Sequence, residues 1–115
     1  MLKNWVLSLL VNAVAILAVG QLLDKFIVAD FTTALLASFI LSILNVIVKP
    51  ILIILTLPVT IFTLGLFLFV INAITLMITQ SIIGDAFIID GFGTAIVAAI
   101  ILSVLNLLLQ KLIID

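Results

Sequence analysis

Four asparagines are the most informative polar residues of this chain, because they lie inside long apolar segments. They are Asn12, Asn45, Asn72 and Asn106. An amide side chain both donates and accepts hydrogen bonds. In hydrocarbon an unpaired amide costs several kcal/mol, so we expect these four side chains to face one another or water.

The residue types on which most catalytic sites depend are missing from the sequence. It contains no His, Cys or Tyr; its five acidic residues are all Asp and its four basic residues are all Lys. The usual zinc, haem, thiol and general-base sites therefore lose their normal ligands. The net charge of −1 provides no basic surface for nucleic acid. We expect no enzymatic activity, no cofactor or metal, no nucleic-acid partner and no small-molecule substrate.

The composition places the chain in a membrane. Of its 115 residues, 68% are hydrophobic and 8% are charged. An average soluble domain has about 25% charged residues. The mean hydropathy is +1.75. Too few polar side chains are present to cover a soluble domain of this size, and far too many apolar ones for a disordered chain. The sequence predicts one all-α membrane domain over 1–115, with the lipid bilayer as its partner.

The few charged residues divide the chain into segments that could cross the bilayer. A membrane helix needs ~20 mainly apolar residues, and strands of a membrane barrel would show alternating polarity, which is absent. The predicted helical spans are 5–23, 31–48, 66–83 and 92–109. The first also resembles a signal peptide. Its apolar run continues well beyond the candidate cleavage site at Ala15, so we expect it to be retained.

The uncharged tract 50–84 is too long for one crossing. As a continuous helix of about 35 residues it would extend roughly 50 Å. The residues that can break it are Pro50, Pro58 and Gly65, since proline and glycine interrupt helices. The piece 51–64 is then a re-entrant element, an interfacial helix or an extension of the third span. As a fifth span it would be too short, and it would leave two lysines on each side of the membrane.

The two halves of the chain resemble each other. Shifting the sequence by 61 positions aligns 31–49 with 92–110 and gives nine identities, while a shift of 60 aligns the segments upstream. The change of offset indicates a one-residue insertion beside Gly91. The pattern predicts two parallel helical hairpins, 5–49 and 66–110, joined by 50–65 and related by a pseudo-two-fold axis along the membrane normal.

Lysine placement predicts the orientation, because lysines near the ends of spans favour the cytoplasmic side. Four spans with cytoplasmic N- and C-termini put Lys3, Lys49 and Lys111 inside. The opposite side then carries one lysine and most of the acidic residues: Asp24, Lys25, Asp30, Asp85 and Asp90. We expect Trp5, Lys49 and Lys111 to act as interface anchors, and Asp30 and Asp90 to cap the helices that follow them.

Small residues repeat every four positions on the second and fourth spans, which permits close helix packing. The faces are Ala34, Ser38 and Ser42, and Ala95, Ala99 and Ser103. The helical rise per residue places all four asparagines within ~5–10 Å of the inner ends of their spans, at a similar depth. This polar layer either holds helices together or lines a polar path. It can be buried within one monomer, and the small-residue faces equally suit a homo-oligomer.

The central stretch 45–76 resembles a known family. It contains Lys49-Pro50-Ile51-Leu52, Thr56-Leu57-Pro58, Thr63-Leu64-Gly65 and Ile71-Asn72-Ala73. These elements are similar to the signature of the phage holin family 4, also called the four-span mycobacteriophage-type holin superfamily IV. The resemblance implies four helices in the bacterial inner membrane and carries over no catalytic or binding residues.

Three functions are compatible with these observations. The resemblance implies a holin-like pore or lesion former, and the alternative is a non-enzymatic structural or regulatory membrane protein, for example one linked to envelope stress. A small transporter ranks below both, because proton-coupled exporters normally carry an acidic residue or His within a span. An anion channel built on Lys49 has no specific support in the sequence.

Overall fold

Helices make up most of the chain, as a computed structural model describing residues 2–113 shows. The helices are α1 (Leu2–Leu22), α2 (Phe31–Leu55), α3 (Leu57–Phe62), α4 (Phe67–Ile83) and α5 (Phe92–Ile113). Between them lie two short strands, β1 (Phe26–Val28) and β2 (Phe87–Ile89). Three helices, α1, α2 and α5, are long and apolar enough to cross a membrane. The apolar α4 has 17 residues. Its length is at the lower limit for a span.

The four long helices form a ring in the order α1, α2, α4, α5, since α1 and α4 each pack against both α2 and α5. Small side chains dominate the contacts, and eight alanines are among the buried residues: Ala13, Ala15, Ala34, Ala37, Ala73, Ala95, Ala98 and Ala99. Alanine lets helix backbones approach closely, which compensates for the missing hydrophobic drive for association in lipid.

One end of this ring is covered by the two strands, which sequence reasoning did not anticipate. They pair antiparallel, with Phe26 opposite Ile89 and Phe87 opposite Val28. Phe26 and Phe87 point inward and are fully buried, with ring centroids 5.3 Å apart and ring planes at 89°. We call this end, residues 23–30 and 84–91, the sheet end.

The second span does not stop at residue 48, and the prediction that Pro50 breaks it is wrong. Helix α2 continues through Pro50 to Leu55. Proline removes one hydrogen bond, here the one to the carbonyl of Val46, and membrane helices tolerate that loss. Thr56 is the C-cap residue of the helix, and its hydroxyl donates to the Leu52 carbonyl at 2.7 Å.

The piece 51–64 is therefore divided between two helices and a turn. Its first residues extend α2, and the rest forms α3 and a turn. Pro58 lies in the first turn of α3, where its missing N–H costs little. Leu64, with a φ of 57°, and Gly65, with a φ of 90°, make the turn into α4. Both lie in the left-handed region that favours glycine.

The change of offset between the two halves lies at the end of α4 rather than beside Gly91. The buried residues Ile16 and Val19 of α1 correspond to Leu76 and Thr79 of α4 at an offset of 60. From the strands onward the offset is 61, as for the buried pair Phe26 and Phe87. The extra residue therefore lies between Thr79 and Phe87.

Only one of the two aspartates expected to cap a helix does so. The Asp30 carboxylate accepts a hydrogen bond from the Thr33 N–H at 2.8 Å at the start of α2. Before α5, Gly91 holds the corresponding position, because its carbonyl accepts from the Ala95 N–H. Asp90 lies one residue earlier and joins the strand ladder, its N–H donating to the Lys25 carbonyl at 2.8 Å. The expectation for Asp90 is wrong because the offset is 61 there.

Candidate functional site

A cavity of about 200 Å³ lies between the four long helices, toward the end of the bundle opposite the sheet. We call it the polar cavity. Each long helix contributes one asparagine to its wall: Asn12, Asn45, Asn72 and Asn106. Asn45 is exposed and the other three are half-buried. The structure therefore brings together the four residues that the sequence placed at one depth.

Helical periodicity explains how α2 and α5 form this wall. On α2 the lining residues are Ser38, Ser42, Asn45 and Lys49. Their spacing of three or four positions places them on one face. On α5 the corresponding residues are Ala99, Ser103 and Asn106. The small-residue faces continue from the cavity into the core, where Ala34, Ser38, Ala95 and Ala99 are buried.

Several hydroxyl groups of the wall bond to their own helix. The Ser42 hydroxyl donates to the Phe39 carbonyl at 2.7 Å, and the Ser103 hydroxyl to the Ala99 carbonyl at 2.9 Å. Thr75 donates in the same way to the Asn72 carbonyl at 2.7 Å. Such bonds satisfy a hydroxyl donor without a partner helix. Each of these hydroxyl oxygens can still accept a hydrogen bond.

Two polar atoms of the wall are buried without a hydrogen-bond partner within residues 2–113. They are the Ser38 Oγ and the Asn106 Oδ1. Ser38 is 1% exposed and lines the cavity. A buried polar atom left unpaired carries a desolvation cost of ~1–3 kcal/mol. Water or a polar ligand in the cavity can pair with these atoms only if their side chains turn toward it, because both atoms are fully buried.

Lys49 supplies the charge of the site. It is half-buried and is the one charged residue among those lining the cavity. Lys111, the other described lysine expected at this side, is exposed on α5 and is not part of the lining. The side chain of Lys3, assigned to the same side, lies outside the described residues. The two described lysines expected as anchors therefore have different surroundings.

Trp5 is 44% exposed and packs against Phe39 of α2, with ring centroids 6.1 Å apart and ring planes at 69°. Edge-to-face aromatic pairs of this kind contribute ~0.5–1.5 kcal/mol beyond the area they bury. Trp5 therefore links α1 to α2 besides being available to the membrane interface.

Between the cavity and the sheet end, the core is mainly apolar. Ile16, Leu76 and Leu102 form part of the lining, and Phe26 and Phe87 fill the end of the ring. The Gln80 side-chain oxygen accepts a hydrogen bond from the Ile89 N–H and so ties α4 to the sheet. Sequence reasoning missed these residues, although the matching Phe-Ile-Val and Phe-Ile-Ile segments, 61 positions apart, were a signal.

The carboxylate of Asp30 has a specific electrostatic role at this end. The Thr33 backbone N–H donates to it, which holds the pKa of Asp30 below its usual value. The cause is that the hydrogen bond favours the charged form. The negative charge also lies at the positive end of the α2 dipole.

Chemically, the polar cavity is suited to binding polar groups. Amides, hydroxyls and one ammonium group can hold water or a polar ligand, but none of them is a general acid–base pair. Among the described residues, no three His, Cys, Asp or Glu side chains lie close enough together to hold a metal ion.

Comparison with known proteins identifies the family that the sequence matches. Residues 3–108 match the family described as Mycobacterial 4 TMS phage holin, superfamily IV. "Uncharacterized membrane protein YvlD" of Bacillus subtilis is 60% identical over 108 residues, covering 94% of this chain and 91% of the relative. "Uncharacterized protein SCO3922" of Streptomyces coelicolor is 32% identical over 114 residues, covering 91% of each. No solved structure matches the chain.

Proposed function

The chain belongs to the mycobacterial phage holin family with four transmembrane segments, superfamily IV, and we propose that it forms holin-like lesions in the bacterial inner membrane. Holins accumulate in a membrane and then assemble into an opening, which requires close-packing helices and a polar face that can turn toward water. A holin-like role is non-enzymatic. The polar cavity is the observation that carries the proposal.

The cavity supports this role because it concentrates the polar groups of the spans in one place. Each long helix presents one asparagine toward the others, and outside this region the helix surfaces are mainly apolar. In a lesion the same asparagine side chains would face water instead of one another. The sheet end is closed by Phe26 and Phe87, so a path would require the ring to separate there.

The two hairpins, 5–49 and 66–110, are proposed as repeats related by a pseudo-two-fold axis. Two observations support this. Buried positions of α1 and α2 correspond to buried positions of α4 and α5, and the strand register is symmetric about the pair Ile27 and Ile88. The proposed axis passes through that pair and along the bundle.

The sheet end is proposed to face the outside of the cell, with both termini in the cytoplasm. Asp24, Lys25, Asp30, Asp85 and Asp90 all belong to the sheet end, while Lys49 and Lys111 lie toward the opposite end of their helices. The distribution follows the preference of lysine for the cytoplasmic side. Reporter enzymes fused after Asp85 and after Lys111 test it, and a cytoplasmic signal from the first fusion contradicts it.

Helix α3 is proposed to lie in the cytoplasmic membrane interface. It packs only against its chain neighbours α2 and α4 among the described elements, and its large apolar side chains are exposed. Phe62 is 89% exposed and Leu64, just after the helix, is 92% exposed. Such side chains are stable when they insert among lipid acyl chains.

Lysis tests the holin proposal. The protein is expressed in a bacterium that carries a cytoplasmic endolysin, and lysis and membrane potential are followed at matched membrane levels. We expect loss of potential followed by lysis, and we expect Asn45→Leu with Asn106→Leu to suppress both. Val46→Leu with Leu107→Ile, on the neighbouring exposed positions, is the matched control. Intact potential at high expression of the parent protein contradicts the proposal.

A static structural or regulatory role is the second candidate, and one observation favours it. Ala34, Ser38, Ala95 and Ala99, on the faces suited to oligomer contacts, are all buried inside the monomer. An oligomer through these faces requires the ring to open first. If the parent protein causes no leakage while Asn45→Leu with Asn106→Leu only alters its stability, the asparagines serve packing and this second role is supported.

A further inference from the structure

We propose that the polar cavity is a binding site for a phosphate group, carried by a lipid headgroup or by a free phosphate. The proposal depends on the cavity and its charge, and it does not require that the protein forms lesions. The volume of the cavity, its charge, its unpaired polar atoms and its position each contribute.

The volume suits a small polar group. The cavity measures about 200 Å³. One water takes a share of ~30 Å³ in the liquid, so the space holds several waters or one phosphate group with its hydration.

The charge of the wall selects an anion. Lys49 is half-buried, and no carboxylate is present among the residues that line the cavity. A partly desolvated ammonium group without a counter-charge is unfavourable, so binding an anion beside it is favoured. Lysine is a common phosphate ligand and acts there as a point charge.

The neutral groups of the wall fit an oxyanion because the amides can donate. Four asparagine amides surround the site, and no hydrogen bond joins two of their side chains in the described part of the chain. Phosphate oxygens accept several hydrogen bonds at once. An amide needs only a half-turn about its last bond to present its NH₂ group where its oxygen now lies.

The unpaired atoms point to the same ligand. The Ser38 hydroxyl is buried, lines the cavity and finds no acceptor within the described residues. When the Ser38 side chain turns toward the cavity, an oxyanion there supplies the missing acceptor. The Asn106 Oδ1 is the second buried unpaired atom. A protonated phosphate oxygen can donate to it, or the amide can rotate so that its NH₂ group donates to the phosphate instead.

The position of the cavity connects it with lipid. Asn45 on its rim is exposed, and the next residues, Val46 and Ile47, are 76% and 59% exposed apolar side chains. The rim therefore adjoins a surface suited to acyl chains, and Lys49 lies one helical turn closer than Asn45 to the proposed cytoplasmic end of α2. A phosphate monoester headgroup can enter while its chains remain outside.

Direct binding distinguishes the two sources. The full-length protein is purified in a maltoside detergent, and binding is measured by calorimetry for inorganic phosphate and by native mass spectrometry for phosphatidic acid. Diacylglycerol with the same acyl chains is the control ligand. Binding of inorganic phosphate indicates a site for a free anion, and binding of phosphatidic acid alone indicates a headgroup site. Equal binding of diacylglycerol, or binding of neither phosphate probe, overturns the proposal.

Lysine variants test the assignment of residues. We expect Lys49→Met to weaken phosphate binding at least tenfold and Lys49→Arg to retain most of it. Lys111→Met is the matched control, because it removes an exposed lysine outside the cavity, and it should change affinity less than twofold. Unfolding temperatures of all variants are measured without ligand, so that misfolding is separated from lost binding. An equal loss in Lys49→Met and Lys111→Met overturns the site, because it indicates general surface charge.

The binding assay and the lysis assay test the two proposals independently. A protein that binds phosphate without causing leakage retains the site and loses the holin role. One that causes leakage without binding either phosphate probe retains the role and loses the site.

Discussion

The two ends of the helix ring have opposite physical characters. At the sheet end, Phe26 and Phe87 are buried in contact, and backbone hydrogen bonds between β1 and β2 hold the two interhelical connections together. At the other end, four asparagines and Lys49 surround a cavity, and the Ser38 hydroxyl is unpaired within the described chain. The difference indicates that one end supplies stability while the other keeps polar groups available for a ligand or for water.

The two halves of the chain differ in charge at that open end. Lys49 of α2 lines the cavity, whereas the corresponding residue of α5 is Gln110, which is exposed and uncharged. Helices α2 and α5 thus form a site with charge on one side only.

Phe87→Ala should give the largest effect, because it removes a fully buried ring from the sheet end. Truncating a buried phenylalanine costs ~3–5 kcal/mol. The measurement is unfolding of the purified protein in detergent, and Phe92→Ala, at a 43% exposed ring, is the control. Equal losses of stability in the two variants would mean that the buried Phe26–Phe87 pair contributes no more stability than an exposed ring.

Gln80→Leu should be the next largest change, since it leaves the Ile89 N–H without its side-chain acceptor. Leaving a buried donor unpaired costs ~1–3 kcal/mol. Gln110→Leu, on the exposed surface of α5, should change stability by much less. Hydrogen exchange of the β2 amides provides a local measurement, and unchanged protection of Ile89 would contradict the prediction.

Ser38→Ala should increase the stability of the protein, whereas the two substitutions at the sheet end should decrease it. It removes a buried hydroxyl that has no partner among the described residues. We therefore expect unfolding to cost roughly 1 kcal/mol more. Phosphate binding should weaken severalfold in the same protein. Ser81→Ala, at an exposed serine of α4, is the control. Lower stability in Ser38→Ala would indicate that the hydroxyl is already satisfied.

The smallest effect is expected from acid titration of the sheet end. The Thr33 N–H lowers the pKa of Asp30 in the folded protein. Its stabilising contribution is therefore present above the ordinary pKa of the unfolded chain and is lost as pH falls through the lower folded value. Asp30→Asn should reduce this loss, because asparagine still caps the helix without titrating. Asp90→Asn is the comparison, and an equal effect of both substitutions would contradict a specific role of Asp30.

Local pattern was enough to predict several elements. The membrane class, the helical architecture and the family are confirmed, since they depend on composition, on the length of apolar segments and on the motifs around Lys49 and Gly65. Placing the asparagines at one depth required only the rise per residue. The strands were missed because three residues carry too little periodicity, and Pro50 was misjudged because the cost of proline depends on its surroundings.

The sequence by itself determined that the chain is a membrane protein, where α2, α4 and α5 begin to within one residue, and which polar residues lie deep within the long helices. These properties follow from transfer free energies and helix geometry, which are local. Only the tertiary structure decided that α1, α2, α4 and α5 form a ring, that Phe26 meets Phe87, and that Lys49 lines the cavity while Lys111 does not. Such facts depend on helix order and rotation. Those are set by packing among many small side chains at once, and no single segment encodes them.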